Sequence, residues 1–262
     1  ASFFGIQGWF MRNVSELSGG QKQLLNLASI MAMQPDVLLL DEPTSQLDPI
    51  AASDFLETVR KINLEIGTTI IMTEHRLEEV LPMSDRSVVL DGGHILIDDS
   101  PQKVGKRLAD SSHDMFLSMP SPMQIFNSLA SQKDKIELPP CNHIIDADCP
   151  ITVREGRNWL TNIFSGGDIT ETSIAEEVET QIPSASHTNN NCETMVELKE
   201  VWFRYDKANP DVIRDLSLKV NKGQLYCIVG GNGTGKTTAL TLISGINRPN
   251  RGNVFLGGKD IS

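Results

Sequence analysis

The stretch Leu225-Tyr226-Cys227-Ile228-Val229-Gly230-Gly231-Asn232-Gly233-Thr234-Gly235-Lys236-Thr237 decides the fold. Its first five residues are typical of a strand buried on both faces of a parallel sheet, and a helix is predicted over residues 236–246. Between them, residues 230–237 have the G-x-x-x-x-G-K-[ST] pattern of a phosphate-binding loop. Glycines let successive backbone N–H groups face phosphates, while Lys236 reaches the β- and γ-phosphates and the Thr237 hydroxyl is placed for Mg²⁺. A glycine-rich turn before an ordinary helix is the alternative, but the flanking strand and helix favour the phosphate site.

A second candidate anion site opens a helix near the start of the chain. Leu17-Ser18-Gly19-Gly20-Gln21-Lys22-Gln23 combines a hydroxyl with free amides at the helix N-terminus. By itself the pattern is also typical of an ordinary N-cap and turn. Its weight comes from the motifs that follow it at fixed distance.

Carboxylates and a histidine follow two further predicted strands. Asp41 and Glu42 come directly after the apolar run 37–40, where Asp41 can hold Mg²⁺ and Glu42 can polarise an attacking water. His75 follows the next apolar run, residues 68–72, at the same predicted edge of the sheet. A strand ending in a polar turn, and a purely structural histidine, are the alternatives. The occurrence of these residues in series, each after a predicted buried strand, favours a catalytic site at this edge of the sheet.

These residues resemble the motifs of ATP-binding cassette (ABC) ATPases. The motifs are a signature (Leu17 to Gln23), a Walker B segment (Leu38 to Glu42), a D-loop (Ser45 to Asp48), a switch histidine (His75), an adenine-stacking aromatic (Tyr205) and a Walker A loop (Gly230 to Thr238). For Tyr205, an aromatic that merely packs at a strand end is the alternative. The segments 45–49 and 75–80 resemble the energy-coupling factor subgroup, whose ATPases drive vitamin and metal-ion uptake.

The resemblance implies ATP and Mg²⁺ as cofactors and a role for each matching residue. Asp41 and Thr237 would hold Mg²⁺, Glu42 would act on the attacking water, and His75 would contact the γ-phosphate. Ser45 and Asp48 would belong to the D-loop. ATP would be bound by Tyr205, Gly230, Gly231, Asn232, Gly233, Thr234, Gly235, Lys236, Thr237 and Thr238, and from across an interface by Ser18, Gly19, Gly20 and Gln21.

The motifs occur in an order that differs from the family's. Walker A precedes the signature in the family, whereas here the signature comes first and Walker A last. We therefore expect an α/β P-loop NTPase fold in which residues 1–105 are the C-terminal half of a first cassette and residues 195–262 the N-terminal half of a second. Residues 106–194 would be an irregular linker with short helices. One ATP would then be shared by the Walker A loop and Tyr205 with the signature and the D-loop, whereas Asp41, Glu42 and His75 would serve another ATP, bound by a Walker A upstream of this sequence. The fragment alone would be inactive, would only bind nucleotide, or would not fold stably. A circularly permuted single cassette is the rival, and it would still lack the glutamine loop and most of the helical subdomain.

Composition narrows the choice of partners. The chain has 262 residues and a net charge of −11, which argues against a protein that mainly binds nucleic acid. Residues 195–262 carry 10 Lys or Arg against 6 Asp or Glu, so the phosphate-binding end is locally basic. Four scattered cysteines predict no disulfide framework. We find neither a membrane-spanning apolar run nor a signal peptide, and expect a peripheral protein on the cytoplasmic face of the membrane.

The leading hypothesis is thus the ATP-hydrolysing subunit of a membrane importer. Its partners would be transmembrane subunits and a second cassette, either in the same chain or in a homologous ATPase. The alternative is a soluble tandem-cassette ATPase that acts on ribosomes or nucleic acid. The negative net charge and the D-loop sequence, Ser45 to Asp48, favour the importer.

Overall fold

A computed structural model describes residues 2–131, 148–164 and 193–262. The helices are α1 Gly19–Met31, α2 Pro49–Lys61, α3 Leu77–Val80, α4 Pro101–Asp110, α5 Ser121–Ser131, α6 Val153–Phe164 and α7 Lys236–Ile243. The strands are β1 Val37–Asp41, β2 Thr69–Thr73, β3 Arg86–Asp91, β4 His94–Asp99, β5 Thr194–Phe203, β6 Ile213–Asn221, β7 Leu225–Val229, β8 Arg251–Leu256 and β9 Lys259–Asp260.

A five-stranded sheet forms the centre, in the order β1-β2-β7-β3-β4. Strands β1, β2, β7 and β3 are parallel, and β4 pairs antiparallel with β3 to form a hairpin. Every side chain of β2 and β7 is buried, because both strands are covered on both faces. The continuous apolar runs that predicted these strands, and the α/β class, are confirmed.

The two ends of the chain share this sheet. Strand β7, from the second predicted half-cassette, lies between β2 and β3 of the first, with Met72 opposite Cys227 and Val88 opposite Ile228. The facing edges of β2 and β3 are therefore not left unpaired in this structure. The physical reason is that β7 covers the edges of β2 and β3 at once.

Polar contacts reinforce the seam between the halves. The Asn63 side-chain amide donates to the carbonyl oxygens of Thr68, at 3.0 Å, and Gly223, at 2.7 Å. The Gly223 N–H donates to Thr69 Oγ1 at 2.9 Å. At the next turn, the Leu225 N–H donates to the Asp85 carboxylate at 2.7 Å. Buried backbone groups need such partners, so the seam is a satisfied interior boundary.

A second, antiparallel sheet of order β6-β5-β8-β9 packs beside the central one. Its apolar face joins β7 and α7 in one hydrophobic cluster that includes Val196, Leu218 and Ile243. The other cluster lies on the opposite face of the central sheet, under α2. The phosphate-loop strand is therefore held between two cores.

The described part of the linker packs against the molecule. Val104 and Leu108 of α4, with Met123 and Phe126 of α5, belong to the cluster under α2. The sequence Thr152-Val153-Arg154-Glu155 is typical of a capping box, and the structure has it at the start of α6: Thr152 Oγ1 accepts from the Glu155 N–H at 3.2 Å, and Glu155 accepts from the Thr152 N–H at 3.2 Å. The linker residues 132–147 and 165–192 lie outside the described part. Across the described ranges, no helix has the length and apolar character needed to cross a membrane.

Candidate functional site

The candidate site lies at the carboxyl edge of three neighbouring strands. Asp41 ends β1, Thr73 ends β2 and is paired with both Asp41 and Ile228, and the glycine-rich loop leaves β7 after Val229. The ends of parallel strands meet at one edge of a sheet, so motifs far apart in sequence converge there. This is the topology in which α/β folds place their ligand sites.

The glycine-rich loop is tightly constrained. Gly233 and Gly235 have positive φ angles of 78° and 102°, a backbone region that glycine adopts without strain. A side chain at Gly230 would place its Cβ 2.4 Å from the Leu90 carbonyl oxygen, and one at Gly235 would meet Ile213 Cδ1 at 2.7 Å. The loop can therefore keep this path only with glycine at these positions, as the phosphate-loop prediction requires.

Lys236 begins α7 and is almost entirely buried. Its ammonium Nζ donates to the carbonyl oxygens of Gly230, at 3.0 Å, and Gly231, at 3.1 Å. Its nearest carboxylate oxygen is Glu42 Oε1, at 3.7 Å. A buried cation held inside a loop of backbone amides is suited to an anion with several negative oxygens.

Glu42 and His75 form a close pair beside that lysine. His75 Nε2 lies 2.9 Å from Glu42 Oε1. The sequence assigns Glu42 and His75 to a different ATP from Lys236, whereas the structure brings all three side chains together at one edge. The cause is the position of β7 next to β2, which carries the phosphate loop to the strand that precedes His75.

Asp41 and Thr237 supply the expected oxygen donors for Mg²⁺. Asp41 Oδ1 accepts from the Thr73 hydroxyl at 2.7 Å, which fixes the carboxylate at the end of β1. Thr237 is exposed in the first turn of α7. A carboxylate and a hydroxyl are hard oxygen ligands of the kind that Mg²⁺ binds together with phosphates and water. The donor chemistry therefore fits the ion, and the two residues remain its predicted ligands.

The sequence did not predict the polar contact between Glu74 and Thr44. Both residues are buried, with 2% and 0% of their surfaces exposed. Glu74 Oε1 accepts from the Thr44 N–H at 2.9 Å and from the Thr44 hydroxyl at 2.7 Å. One sequence signal was available: a charged residue, Glu74, stands between the buried strand β2 and His75. A carboxylate that is buried there requires a hydrogen-bond partner.

Tyr205 stands at the rim of the loop. Its side chain is 62% exposed, its hydroxyl lies 3.1 Å from Thr238 Oγ1, and its ring packs edge-on against Phe203 with the centroids 4.9 Å apart. The ring is thus anchored at its edge and tip beside the phosphate-loop helix. Adenine stacking remains a prediction for this residue.

The signature residues form local contacts instead. Ser18 caps α1: its Oγ accepts from the Gln21 N–H at 3.2 Å, and the Gln21 side chain accepts from the Ser18 N–H at 3.0 Å. Gly20 faces α2, where an added Cβ would lie 2.7 Å from Ala51 Cβ. The free amides of Gly19 and Gly20 thus begin a helix whose first turn is packed against α2 and capped by its own side chains.

The D-loop has a comparable local role. Asp48 caps α2, because its carboxylate accepts from the Ala51 N–H at 2.9 Å. The Ser45 N–H donates to the Glu42 carbonyl oxygen at 3.1 Å, in the turn that follows Glu42. These contacts fix the course of the chain from Glu42 to α2, and a nucleotide contact from Ser45 or Asp48 stays a prediction.

Comparisons with known proteins match both ends of the chain. A family model described as ABC transporter matches residues 2–45 and 213–262. A candidate ABC transporter ATP-binding protein of Bacillus anthracis is 38% identical over 260 residues, which are 99% of this chain and 42% of that protein. One from Methanosarcina mazei is 33% identical over 256 residues, 98% of this chain and 41% of that protein.

Solved structures give partial matches. The structure described as cbiO1 from Clostridium perfringens, part of the ABC transporter complex cbiONQ, is 27% identical, with a TM-score of 0.38 and 50% of each chain covered. An ATP-binding cassette of an ABC transporter in its ADP conformation is 28% identical, with a TM-score of 0.39, and covers 42% of this chain and 44% of its own. This chain spans about two fifths of the length of the curated relatives named above.

Proposed function

Because the chain has the ABC ATPase fold and is related to ABC transporter ATP-binding proteins, we propose that it binds ATP with Mg²⁺ and contributes to ATP hydrolysis that powers a membrane transporter. The observation that carries the proposal is the convergence of Lys236, Glu42 and His75 at one sheet edge. Glu42 Oε1 lies 3.7 Å from Lys236 Nζ and 2.9 Å from His75 Nε2. A buried cation, a carboxylate and an imidazole at the mouth of a phosphate loop are the groups that phosphoryl transfer to water requires.

Each of these groups has a distinct role in the proposed reaction. Lys236 and the loop amides bind and orient the phosphates and offset their negative charge. Glu42 accepts or directs a proton of the attacking water, and the contact from His75 Nε2 orients its carboxylate. Asp41 and Thr237 would hold Mg²⁺, which screens charge on the phosphate oxygens when bound. Tyr205 offers an exposed ring for the base.

The signature residues would act on a different nucleotide. Ser18, Gly19 and Gly20 are exposed or half-buried and are bonded within α1. In ABC ATPases the signature reaches the nucleotide held by another cassette, as the sequence resemblance implies. We therefore assign Ser18 to Gln21 to an ATP on a second cassette, supplied by a longer chain or by a homologous ATPase. On this basis one chain binds ATP, and hydrolysis requires a partner cassette.

The order of the motifs supports a tandem parent. In the relative from Bacillus anthracis the match runs along 99% of this chain, yet more than half of that protein lies outside it. We propose that residues 1–105 and 195–262 derive from consecutive cassettes, joined by the linker at 106–194. Homologous halves carry the same complementary edges, which accounts for a complete central sheet in this chain.

For the transporter itself we propose an energy-coupling factor type importer of a vitamin or metal ion, with the protein at the cytoplasmic face of the membrane. The amino-acid sequences of residues 45–49 and 75–80 support this subgroup. The competing function, action on ribosomes or nucleic acid, is disfavoured by the net charge of −11. Retention of the chain on ribosomes or DNA at moderate salt would favour that competitor.

The test is a titration of the chain with a fluorescent ATP analogue and Mg²⁺, followed by turnover measured over a range of protein concentrations. We expect saturable binding at all concentrations and a turnover per chain that rises with concentration, because a second copy must supply the signature. Absence of nucleotide binding by the folded chain would overturn the proposal.

A further inference from the structure

Glu74 is a buried carboxylate placed between the two groups that act on the attacking water. It follows β2 directly, precedes His75 and is only 2% exposed. None of the roles assigned above uses it. A charged group in such a position is costly unless it is fully bonded, so its partners indicate what it does.

Three donors converge on this carboxylate. Oε1 accepts from the Thr44 N–H and from its hydroxyl, and Oε2 accepts from the His75 N–H at 3.0 Å. The carboxylate thus joins the turn after Glu42 to the backbone of His75. Its negative charge also contributes, after burial itself, to raising the pKa of the neighbouring Cys227 thiol to about 12. Hydrogen bonds to a charged acceptor are about twice as strong as neutral ones.

The residue between these anchors is held in an unfavourable conformation. Glu42 has a φ of 43°, in the left-handed region that is unfavourable for a residue with a Cβ. Before it, Asp41 is bonded to the Thr73 hydroxyl, and the Glu42 N–H donates to the same hydroxyl at 3.0 Å. After it, Thr44 is bonded to Glu74. The chain is therefore fixed on both sides of Glu42.

We propose that Glu74 is a positioning residue: with Thr44 it holds Glu42 in its left-handed conformation, so that the Glu42 carboxylate meets His75 Nε2. The inference rests on the proposed ATPase function for its effect on rate, but the geometry it explains exists without nucleotide. Loss of the contact between Glu74 and Thr44 lets the turn relax and separates Glu42 from His75. A shift of about 1 Å in a catalytic group can cost roughly 100-fold in rate.

Four variants of the whole chain test the proposal. Glu74→Gln keeps the shape but replaces one acceptor with a donor, and Thr44→Val removes only the hydroxyl donor. Thr44→Ser keeps both donors and serves as the conservative rescue. Thr69→Val is the matched control. Thr69 is as fully buried as Thr44, and the variant loses a hydroxyl that accepts from the Gly223 N–H, at the end of β2 remote from Glu42.

The first readout needs no nucleotide. The ¹⁵N chemical shift of His75 Nε2 reports its contact with Glu42, and Glu42→Gln gives the reference value for a broken pair. We expect Glu74→Gln and Thr44→Val to move the signal towards that reference, while Thr44→Ser and Thr69→Val keep it near wild type. Unchanged His75 signals in folded Thr44→Val and Glu74→Gln would overturn the proposal.

The second readout separates positioning from stability. We expect turnover to fall about 10-fold in Thr44→Val and about 10- to 100-fold in Glu74→Gln, with nucleotide affinity within about twofold of wild type. Thr69→Val should lower the melting temperature without this loss of turnover. Equal turnover losses in Thr69→Val and Thr44→Val would contradict the inference. If the wild-type chain bound no nucleotide, the proposed function would fail, whereas the His75 signal would still decide the role of Glu74.

Discussion

The edge around Glu42 and the signature segment around Ser18 are both candidate nucleotide contacts, but they are built in opposite ways. The Glu42 N–H and carboxylate are bonded to groups at least 31 residues away in sequence, and Thr44 and Glu74 behind them are buried. Ser18 is exposed and is bonded to a residue only three positions away. The first region is assembled by the fold, whereas the second is made by one helix end alone.

The contrast shows which half of a composite site a single chain can complete. A region made of long-range contacts depends on the whole sheet and already holds its groups in place. A region made of local contacts leaves its amides facing outward, where a nucleotide on another cassette can reach them. Substitutions in each region can test this division.

Replacing Lys236 with alanine removes the buried cation of the assembled region. We expect nucleotide affinity to fall at least about 100-fold, because several charge-assisted contacts to phosphate are lost together. Fluorescence titration measures the change. Lys222→Ala is the matched control, since Lys222 is exposed and makes only a 3.5 Å surface ion pair with Glu193; an equal loss there would show that net charge alone binds the nucleotide.

Glu42→Gln tests catalysis within the same region. The amide cannot take a proton from water, so we expect turnover to fall about 100-fold or more while nucleotide affinity stays near wild type. The control Glu79→Gln, which alters a half-buried pair with Arg76, should keep full turnover. Should a monomeric chain at high dilution show turnover that Glu42→Gln abolishes, no partner cassette is needed, and the assignment of Ser18 to a second site is wrong.

Asn63→Ala weakens the seam that assembles the first region. Two hydrogen bonds are lost, one across the seam to Gly223 and one within the first half to Thr68. At about 1 kcal/mol each, the free energy of unfolding should fall by roughly 2 kcal/mol. Urea denaturation followed by circular dichroism provides the measurement. Asn253→Ala, which removes one exposed contact with Asp260, should change the free energy by less than about 0.5 kcal/mol.

Ser18→Ala probes the local region and has the smallest effect on the single chain. Loss of the cap should lower the free energy of unfolding by about 1 kcal/mol and leave nucleotide affinity unchanged. Turnover at high protein concentration should nevertheless decrease, since the signature hydroxyl acts on another copy. Ser100→Ala is the control, because Ser100 occupies the same position before α4 without a side-chain cap bond. A loss of nucleotide affinity in Ser18→Ala would place the signature in its own chain's site.

The difference between the two regions also explains what the sequence could predict. Some features depend only on residues that are adjacent in sequence, and the structure has each of them: the strand before Gly230, the loop itself and the capping box of Thr152. The position of β7 between β2 and β3 depends on pairing across more than 130 residues, which local periodicity does not encode. For the same reason, the order of the motifs does not predict that Lys236 lies beside Glu42.

The contacts of Glu74 mark a second limit. The sequence places a carboxylate before His75, but not the turn that brings Thr44 to it. Whether an acidic side chain faces water or a buried donor depends on the packing of a neighbouring strand. The residue types at the site were therefore predictable, whereas the hydrogen bonds between them were not.

The place of β7 in the central sheet has a consequence for how the molecule is made. Roughly 130 residues separate the end of β3 from the start of β7, and ribosomes add about 5–20 residues per second. For about 7 to 26 seconds the nascent chain therefore contains β2 and β3 but not the strand that will pair with both. Unpaired strand edges promote aggregation, so the yield of native protein should depend on how well chaperones protect the nascent first half during that interval.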